Sequence, residues 1–267
     1  HMLQLEFAYC SDAGKTRGHN EDYVGQACPA TAAEAQSRGW LFAVADGVGG
    51  QQLGEVASRT AIDSVTANFK NSVGAESHSS LLRRLVQAAN QKVYEAGAAA
   101  SPGGVRIATT MVACALRYDQ AVVAHVGDSR CYLVRNGQGA PLTRDHTVSS
   151  EQMRLGLITT REASESVNKR LLSRSLGNDL FVSVDIGEHR VVPGDVLLLC
   201  SDGLHHSVTG ADMGRILGPQ ADLNQAALEL VALANERDGG DNITVQLIRV
   251  LSVERMGIYR GRPYKLR

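Results

Sequence analysis

Thr110–Val134 reads TMVACALRYDQAVVAHVGDSRCYLV, three apolar runs (Thr110–Leu116, Ala121–Val126 and Cys131–Val134) parted by only a few polar residues. Runs of this length bounded by Gly and Asp predict three strands in close succession, and Asn136-Gly137 just beyond them is a strong short-turn signal. Outward from there, further strands are expected at Leu3–Cys10, Leu41–Ala45, Phe181–Ile186, Val196–Cys200 and Ile243–Val250. Two long helices are expected between the second and third strands, near Gly54–Phe69 and Ser80–Ala98, and a third at Asn224–Arg237. In the second helix Leu81, Leu82, Leu85, Val86, Ala89 and Val93 fall on one face at helical spacing. Strands, two helices, a run of strands, then a helix and a last strand is not the alternation of a doubly wound parallel sheet. The pattern predicts an α+β layered architecture.

The 267 residues are 43% hydrophobic and 21% charged, enough for one large domain, expected over residues 3–252, followed by a basic tail over 253–267. A formal net charge of -1 leaves no electrostatic footprint for nucleic acid. No run approaches the ~18 apolar residues of a membrane span. The five cysteines are odd in number and contain no C-x-x-C pair, which argues against a disulfide framework or a zinc site. His1-Met2 reads as a cloning remnant, and with no secretory signal pattern the cytoplasm is the expected compartment. Ser101-Pro102-Gly103-Gly104 is a loop by composition, and Thr147–Lys169 is polar, weakly periodic and long enough to be a flap. Within the tail the stretch Arg255–Arg267 carries Arg255, Arg260, Arg262, Lys265 and Arg267 without an acid, the composition of a solvated linker.

Four apolar or turn segments end in an aspartate beside a small residue: Val44-Ala45-Asp46-Gly47, Val126-Gly127-Asp128-Ser129, Cys200-Ser201-Asp202-Gly203 and Gly239-Gly240-Asp241-Asn242. Any one of them alone is most simply a turn. Four carboxylates gathered where strands leave a core would repel one another, and such a cluster persists only if cations neutralise it. Oxygen ligands without paired Cys or His favour Mg²⁺ or Mn²⁺. The segment Arg17-Gly18-His19-Asn20-Glu21-Asp22 adds a guanidinium suited to phosphate and two acids suited to orienting water, with His19 read as an ordinary exposed histidine.

Taken in order, these motifs resemble the PP2C-like (PPM) metal-dependent phosphatases over nearly the whole chain. They are R-x-x-N-E-D at Arg17–Asp22, V-A-D-G-x-G-G at Val44–Gly50 with G-E-x-A-S at Gly54–Ser58, the pair Thr109-Thr110, V-G-D-S-R at Val126–Arg130, C-S-D-G-L at Cys200–Leu204 and D-N-x-T at Asp241–Thr244. The resemblance implies a sandwich of two antiparallel β-sheets flanked by helices, with two core Mg²⁺ or Mn²⁺ ions and a weaker third at one end. It implies that Asp46 bridges the core ions, that Gly47 offers its carbonyl to one, that Asp202 and Asp241 complete the other's shell, and that Asp128 serves the third. Glu21 would act on bound water, Asp22 would support that network, and Arg17 would hold the substrate phosphate. The implied substrates are proteins phosphorylated on serine or threonine by an opposing kinase, and the implied type is bacterial.

Three departures from the family pattern stand out: Ala108 before the Thr pair, Ser166-Val167-Asn168-Lys169 closing the flap, and Val48 where animal relatives place a histidine that protonates the leaving group. No general acid is therefore identifiable from the sequence. The alternative from another class is a pseudophosphatase serving as a regulatory binding module, which should lack ligands, whereas Asp46, Gly47, Asp202 and Asp241 are all present. Nucleotide binding fails on spacing, since Tyr9 and Gln52 stand where the phosphate-loop and dinucleotide patterns need glycine.

Overall fold

The computed structural model describes residues 2–49 and 53–266, so Gly50 of the V-A-D-G-x-G-G motif, Gln52 and Arg267 lie outside the described residues. In chain order the elements are β1 (Gln4–Asp12), β2 (Asp22–Ala27), α1 (Ala32–Ser37), β3 (Trp40–Val48), α2 (Leu53–Lys70), α3 (His78–Ala99), β4 (Ala108–Thr109), β5 (Met111–Arg117), β6 (Gln120–Val126), β7 (Arg130–Arg135) and β8 (Gln138–Pro141). There follow α4 (Val148–Arg154), α5 (Thr160–Glu165), β9 (Asp185–Arg190), β10 (Val196–Cys200), α6 (Asp202–His205), α7 (Gly210–Ile216), α8 (Leu223–Arg237), β11 (Ile243–Ser252), β12 (Met256–Tyr259) and β13 (Arg262–Lys265).

One sheet runs β1-β11-β10-β7-β8 and the other β2-β3-β5-β6-β9, with β4 paired to β3. The ladders within both are antiparallel. Each central strand is apolar on both faces because each face meets a different layer. On β3, Phe42 and Val44 face the other sheet beside Leu197 and Leu199 of β10. Its alternate residues Leu41, Ala43 and Ala45 meet α2 and α3 through Ile62, Val65 and Leu82. On β10 the partition reverses in the same way, Leu198 and Cys200 packing under α7 and α8 with Met213 and Leu230. The result is helix, sheet, sheet, helix, the architecture expected from the motifs.

Helix α3 starts where Ser77 caps it, its hydroxyl accepting the Ser80 N–H at 3.2 Å. Its Leu81, Leu82, Leu85, Val86 and Val93 are at most 2% exposed, each burial worth roughly 1.5–3 kcal/mol.

The expected strand at Phe181–Ile186 lies later, at Asp185–Arg190, because Val182 is held instead by the side chain of Gln87 on α3, and pairing with β6 begins at Asp185 opposite His125. The stretch Thr147–Lys169 contains two short helices started by Thr147 and Thr159, the latter closing a reciprocal cap with Glu162. The tail expected as a linker carries a hairpin. Arg260 and Gly261 take positive φ of 49° and 75° between β12 and β13, and Lys265 pairs at 2.8 Å with buried Glu254 just before the cationic run.

Candidate metal centre

Pairing of β2 with β3 sets Asp22 directly opposite Asp46. Asp46 is fixed through its backbone: its N–H donates to Thr110 Oγ1 at 3.0 Å, and its carbonyl accepts from Thr110 N at 2.9 Å and Thr109 Oγ1 at 3.0 Å. Gly47 donates its N–H to the Glu21 carbonyl at 3.0 Å. A Cβ on Gly47 would lie 2.0 Å from the Gly54 carbonyl oxygen, so only glycine lets the first turn of α2 come this close. Gly54 in turn abuts the Glu21 carboxyl, and Ser58 donates to the Glu21 carbonyl at 2.6 Å. The first two turns of α2 thereby hold Glu21 against the end of β3.

From the other sheet, Ser201 and Thr244 both donate to Asp22 Oδ2, at 2.7 and 2.6 Å. Asp22 Oδ1 and Asp202 Oδ1 are buried and meet no hydrogen-bond partner among the described residues. Burial pushes Asp22 up to about 7, with the two hydroxyls pulling down and Asp202 pushing further up. Asp128 is pushed up to about 8 by burial and then by Asp202 and Asp145. Asp46 is held well above the ordinary carboxylate range by burial and by Asp22, Asp202 and Asp128. Burial and Asp202 raise Asp241, and burial raises Glu21, in each case against the pull of Arg17. Arg17 grips Asp241 with two nitrogens, Nε at 3.2 Å and Nη2 at 3.3 Å.

Arg17, Glu21, Asp46, Gly47, Asp128, Asp202 and Asp241 all line one cavity of about 640 Å³. Asp22 lies behind its wall, buried. His19, read from the sequence as an ordinary exposed residue, also lines the cavity, as do Val48, Arg170 and Asn178. The donor set is oxygen-only, crowded and short of hydrogen-bond donors, which is the environment a hard divalent cation satisfies. Two buried carboxylate oxygens without partners are otherwise costly.

Several residues that build this site are not evident from the sequence as contributors. Asn242 accepts the Glu21 N–H at 2.9 Å and donates to the carbonyls of Ala13 at 2.9 Å and His19 at 2.8 Å, closing the Arg17–Asp22 loop. His146, 2% exposed, clasps Gly127 twice: its Nδ1 accepts the Gly127 N–H at 3.0 Å, and its own N–H donates to the Gly127 carbonyl at 3.0 Å. Its Nε2 therefore carries the proton and donates to Asp185 Oδ2 at 2.8 Å. Asp185 Oδ1 accepts from Arg174 at 2.9 Å, and Arg174 reaches Glu151 on α4 at 3.5 Å.

His125, His146 and Asp185 are close enough to suggest a second cation site. The two imidazoles, however, stack 4.5 Å apart at 14°, and His125 Nε2 is engaged by the Arg144 carbonyl at 2.7 Å. Parallel rings, with both nitrogens of His146 and Nε2 of His125 already hydrogen-bonded, do not converge on one ion. The group ties the Asp128 turn to the base of the flap.

A family model described as Protein phosphatase 2C matches residues 17–233, well over half of the chain, and the chain belongs to that family. The Serine/threonine phosphatase stp of Listeria innocua is 36% identical over 256 residues, covering 94% of this chain and 96% of the relative. The solved S. agalactiae serine/threonine phosphatase superposes with a TM-score of 0.82 at 32% identity, covering 92% of this chain and 100% of that one. The catalytic domain of the phosphatase PstP, solved with two manganese ions, superposes with a TM-score of 0.78 at 31% identity over 94% and 100% of the two chains. The chain is a protein-serine/threonine phosphatase of the bacterial PPM type. No helix of the described residues is long and apolar enough to cross a membrane.

Proposed function

We propose that the chain hydrolyses phosphoserine and phosphothreonine monoesters at a Mg²⁺- or Mn²⁺-dependent centre with two core ions and a weaker third. Asp46, the Gly47 carbonyl, Asp202 and Asp241 would hold the core ions, and Asp128 the third. The two manganese ions solved in PstP support this reading. The observation that carries it is the buried Asp202 carboxylate, crowded against Asp46 and Asp128, whose Oδ1 meets no hydrogen-bond donor among the described residues. Bound there, such ions supply Lewis acidity toward phosphoryl oxygen and acidify water at neutral pH.

The chain's own residues then have separable tasks. Arg17, whose side chain is 54% exposed and whose ion pair is with Asp241 at the cavity wall, can turn its guanidinium onto a substrate phosphate. Glu21, kept rigid by Ser58, Asn242 and Gly54, accepts or orients protons at the cavity floor. Asp22 never meets substrate. It holds Ser201 and Thr244 of the other sheet, and so keeps Asp202 in register with Asp46. Substrates of this kind are made by protein serine/threonine kinases, which this activity would oppose. The pseudophosphatase reading has no support, since the carboxylates it should have lost are present.

The test is calorimetric titration of chelated protein with Mn²⁺ beside turnover of a phosphothreonine peptide. Two tight sites and turnover that rises with their filling are expected. Turnover without cation, or no tight site, contradicts the proposal.

A further inference from the structure

Beside the catalytic cavity lies a second hollow of about 540 Å³ walled by Tyr94, Gly104, Val105, Arg106 and Leu180. The two are adjacent, and Asn178 lines both. The segment Gly177–Val182, whose residues Gly177–Leu180 line the hollow, combines two properties that seldom coincide. Its backbone is rigidly held, and its large side chains face water. Asn90 of α3, itself fully buried, accepts the Gly177 N–H at 2.8 Å and donates to the carbonyls of Asp179 at 2.8 Å and Leu180 at 3.0 Å. Gln87 one turn earlier accepts the Val182 N–H at 3.3 Å and donates back to the Val182 carbonyl. Gly177 is at φ +98°, and a Cβ there would lie 2.3 Å from the Ile107 carbonyl oxygen, so the loop is seated against the opposite wall. On this clamped loop Leu180 is 52% and Phe181 84% exposed, and Val105 across the hollow is 37% exposed. Committing the amides of buried Asn90 and half-buried Gln87 to display two apolar side chains has an energetic cost that solvent exposure of those side chains does not repay.

We propose that this hollow is the substrate-reading subsite of the phosphatase: an extended segment of the phosphoprotein lies along it and places a large aliphatic or aromatic side chain against Val105 and Leu180, next to exposed Phe181. The proposal rests on the catalytic reading of the neighbouring cavity. A hollow of this volume is about 10 Å across, which an extended chain crosses in about three residues at ~3.3 Å each. The apolar side chain therefore sits about two to four residues from the phosphorylated one. Arg106 and Asp179, both exposed on the rim, offer a donor and an acceptor to the passing backbone. Their charges cancel, so the subsite reads apolar shape before charge.

The test uses phosphothreonine peptides with a single leucine walked through an alanine background, with p-nitrophenyl phosphate as the substrate that cannot reach the hollow. For the wild type with Mn²⁺, one or two neighbouring leucine positions should raise kcat/KM about tenfold through KM. The double variant Leu180→Ser, Phe181→Ser should erase that preference while p-nitrophenyl phosphate turnover stays within about twofold. A preference that survives the double variant, no preference at all, or an equal loss on both substrates overturns the proposal. So does a shift from oligomer to monomer in sedimentation, which would make the patch a contact between copies. Fluorescence anisotropy of the leucine peptides with chelated protein reads the hollow without turnover. Binding that loses its leucine preference in the double variant upholds the subsite even if metal-dependent catalysis fails, and binding indifferent to the variant removes the subsite even if catalysis stands.

Discussion

Asp22 and Asp46 face each other across the β2–β3 ladder as a directly opposed pair of carboxylates, with Asp202 at the start of α6 against both. Like charges in register destabilise a sheet, and here burial raises the proton affinity of Asp22 to about 7 and of Asp128 to about 8. The folded chain thus keeps protons that the unfolded chain, with carboxylates near 4, has released. Where the folded state binds more protons, stability falls as pH rises. His78 and His205, lowered to about 4 by burial, act in the opposite sense up to about 6.5. The net decline is therefore expected above that. Metal-free protein should lose on the order of 1–2 kcal/mol, a few degrees of Tm, between about pH 6.5 and 8.5. Saturating Mn²⁺ should abolish the decline. Thermal melts across that range check it, and a flat metal-free profile would remove the strain assigned to the cluster.

Arg17 has one ion-pair partner among the described residues, Asp241, and lies at the cavity mouth. Arg17→Ala should raise KM for phosphorylated peptides by about tenfold, with kcat falling as well if its grip tightens on the developing charge. Steady-state kinetics decide it. Unchanged KM and kcat would take Arg17 out of phosphate binding.

Asp128 stands on the turn after β6, its carbonyl accepting from His205 at 2.8 Å, apart from the β2–β3 ladder. Asp128→Ala should leave the tight Mn²⁺ sites filled and lower turnover by about tenfold or more. Calorimetry on the variant separates the two effects. Loss of the tight sites would place Asp128 in the core centre instead.

His146 joins the Gly127-Asp128 turn to Asp185, Arg174 and α4. Replacing it by Phe strands the buried Gly127 N–H, a loss of about 1–3 kcal/mol, and cuts the side-chain link from the turn to Asp185, while the backbone bond from residue 146 to the Gly127 carbonyl stays. His146→Phe should speed proteolysis within residues 147–172 with or without metal. A cleavage rate equal to wild type would show that the flap is anchored elsewhere.

The central strands and long helices were legible because both faces of β3, β5 and β10 are buried and leave continuous apolar runs. Within the two large sheets the full-length strands missed or misplaced were β2, β8 and β9, all at sheet edges, where one side of the ladder is unpaired and polar residues are tolerated; the two-residue β4 and the tail strands β12 and β13 were missed as well. Within Asp185–Arg190 only Ile186 is strongly apolar. The cavity carboxylates were nominated from their place at strand ends. Which neighbours hold them was not readable, because Asn242 reaches Glu21 across 221 positions and Thr244 reaches Asp22 across 222. His146 carries no local signal, since its partners Gly127 and Asp185 are 19 and 39 residues away.

The central claim is that catalysis depends on divalent cations held by this carboxylate cluster, and the most direct measurement is hydrolysis of a phosphothreonine peptide by wild type and Asp46→Asn, each exhaustively chelated and then titrated with Mn²⁺. Neither chelated protein should turn over, the wild type should recover as Mn²⁺ is added, and Asp46→Asn should run about a hundredfold or more below it at saturation, with the variant's fold intact. Full activity of the chelated wild type, or wild-type turnover by Asp46→Asn, would contradict the central claim.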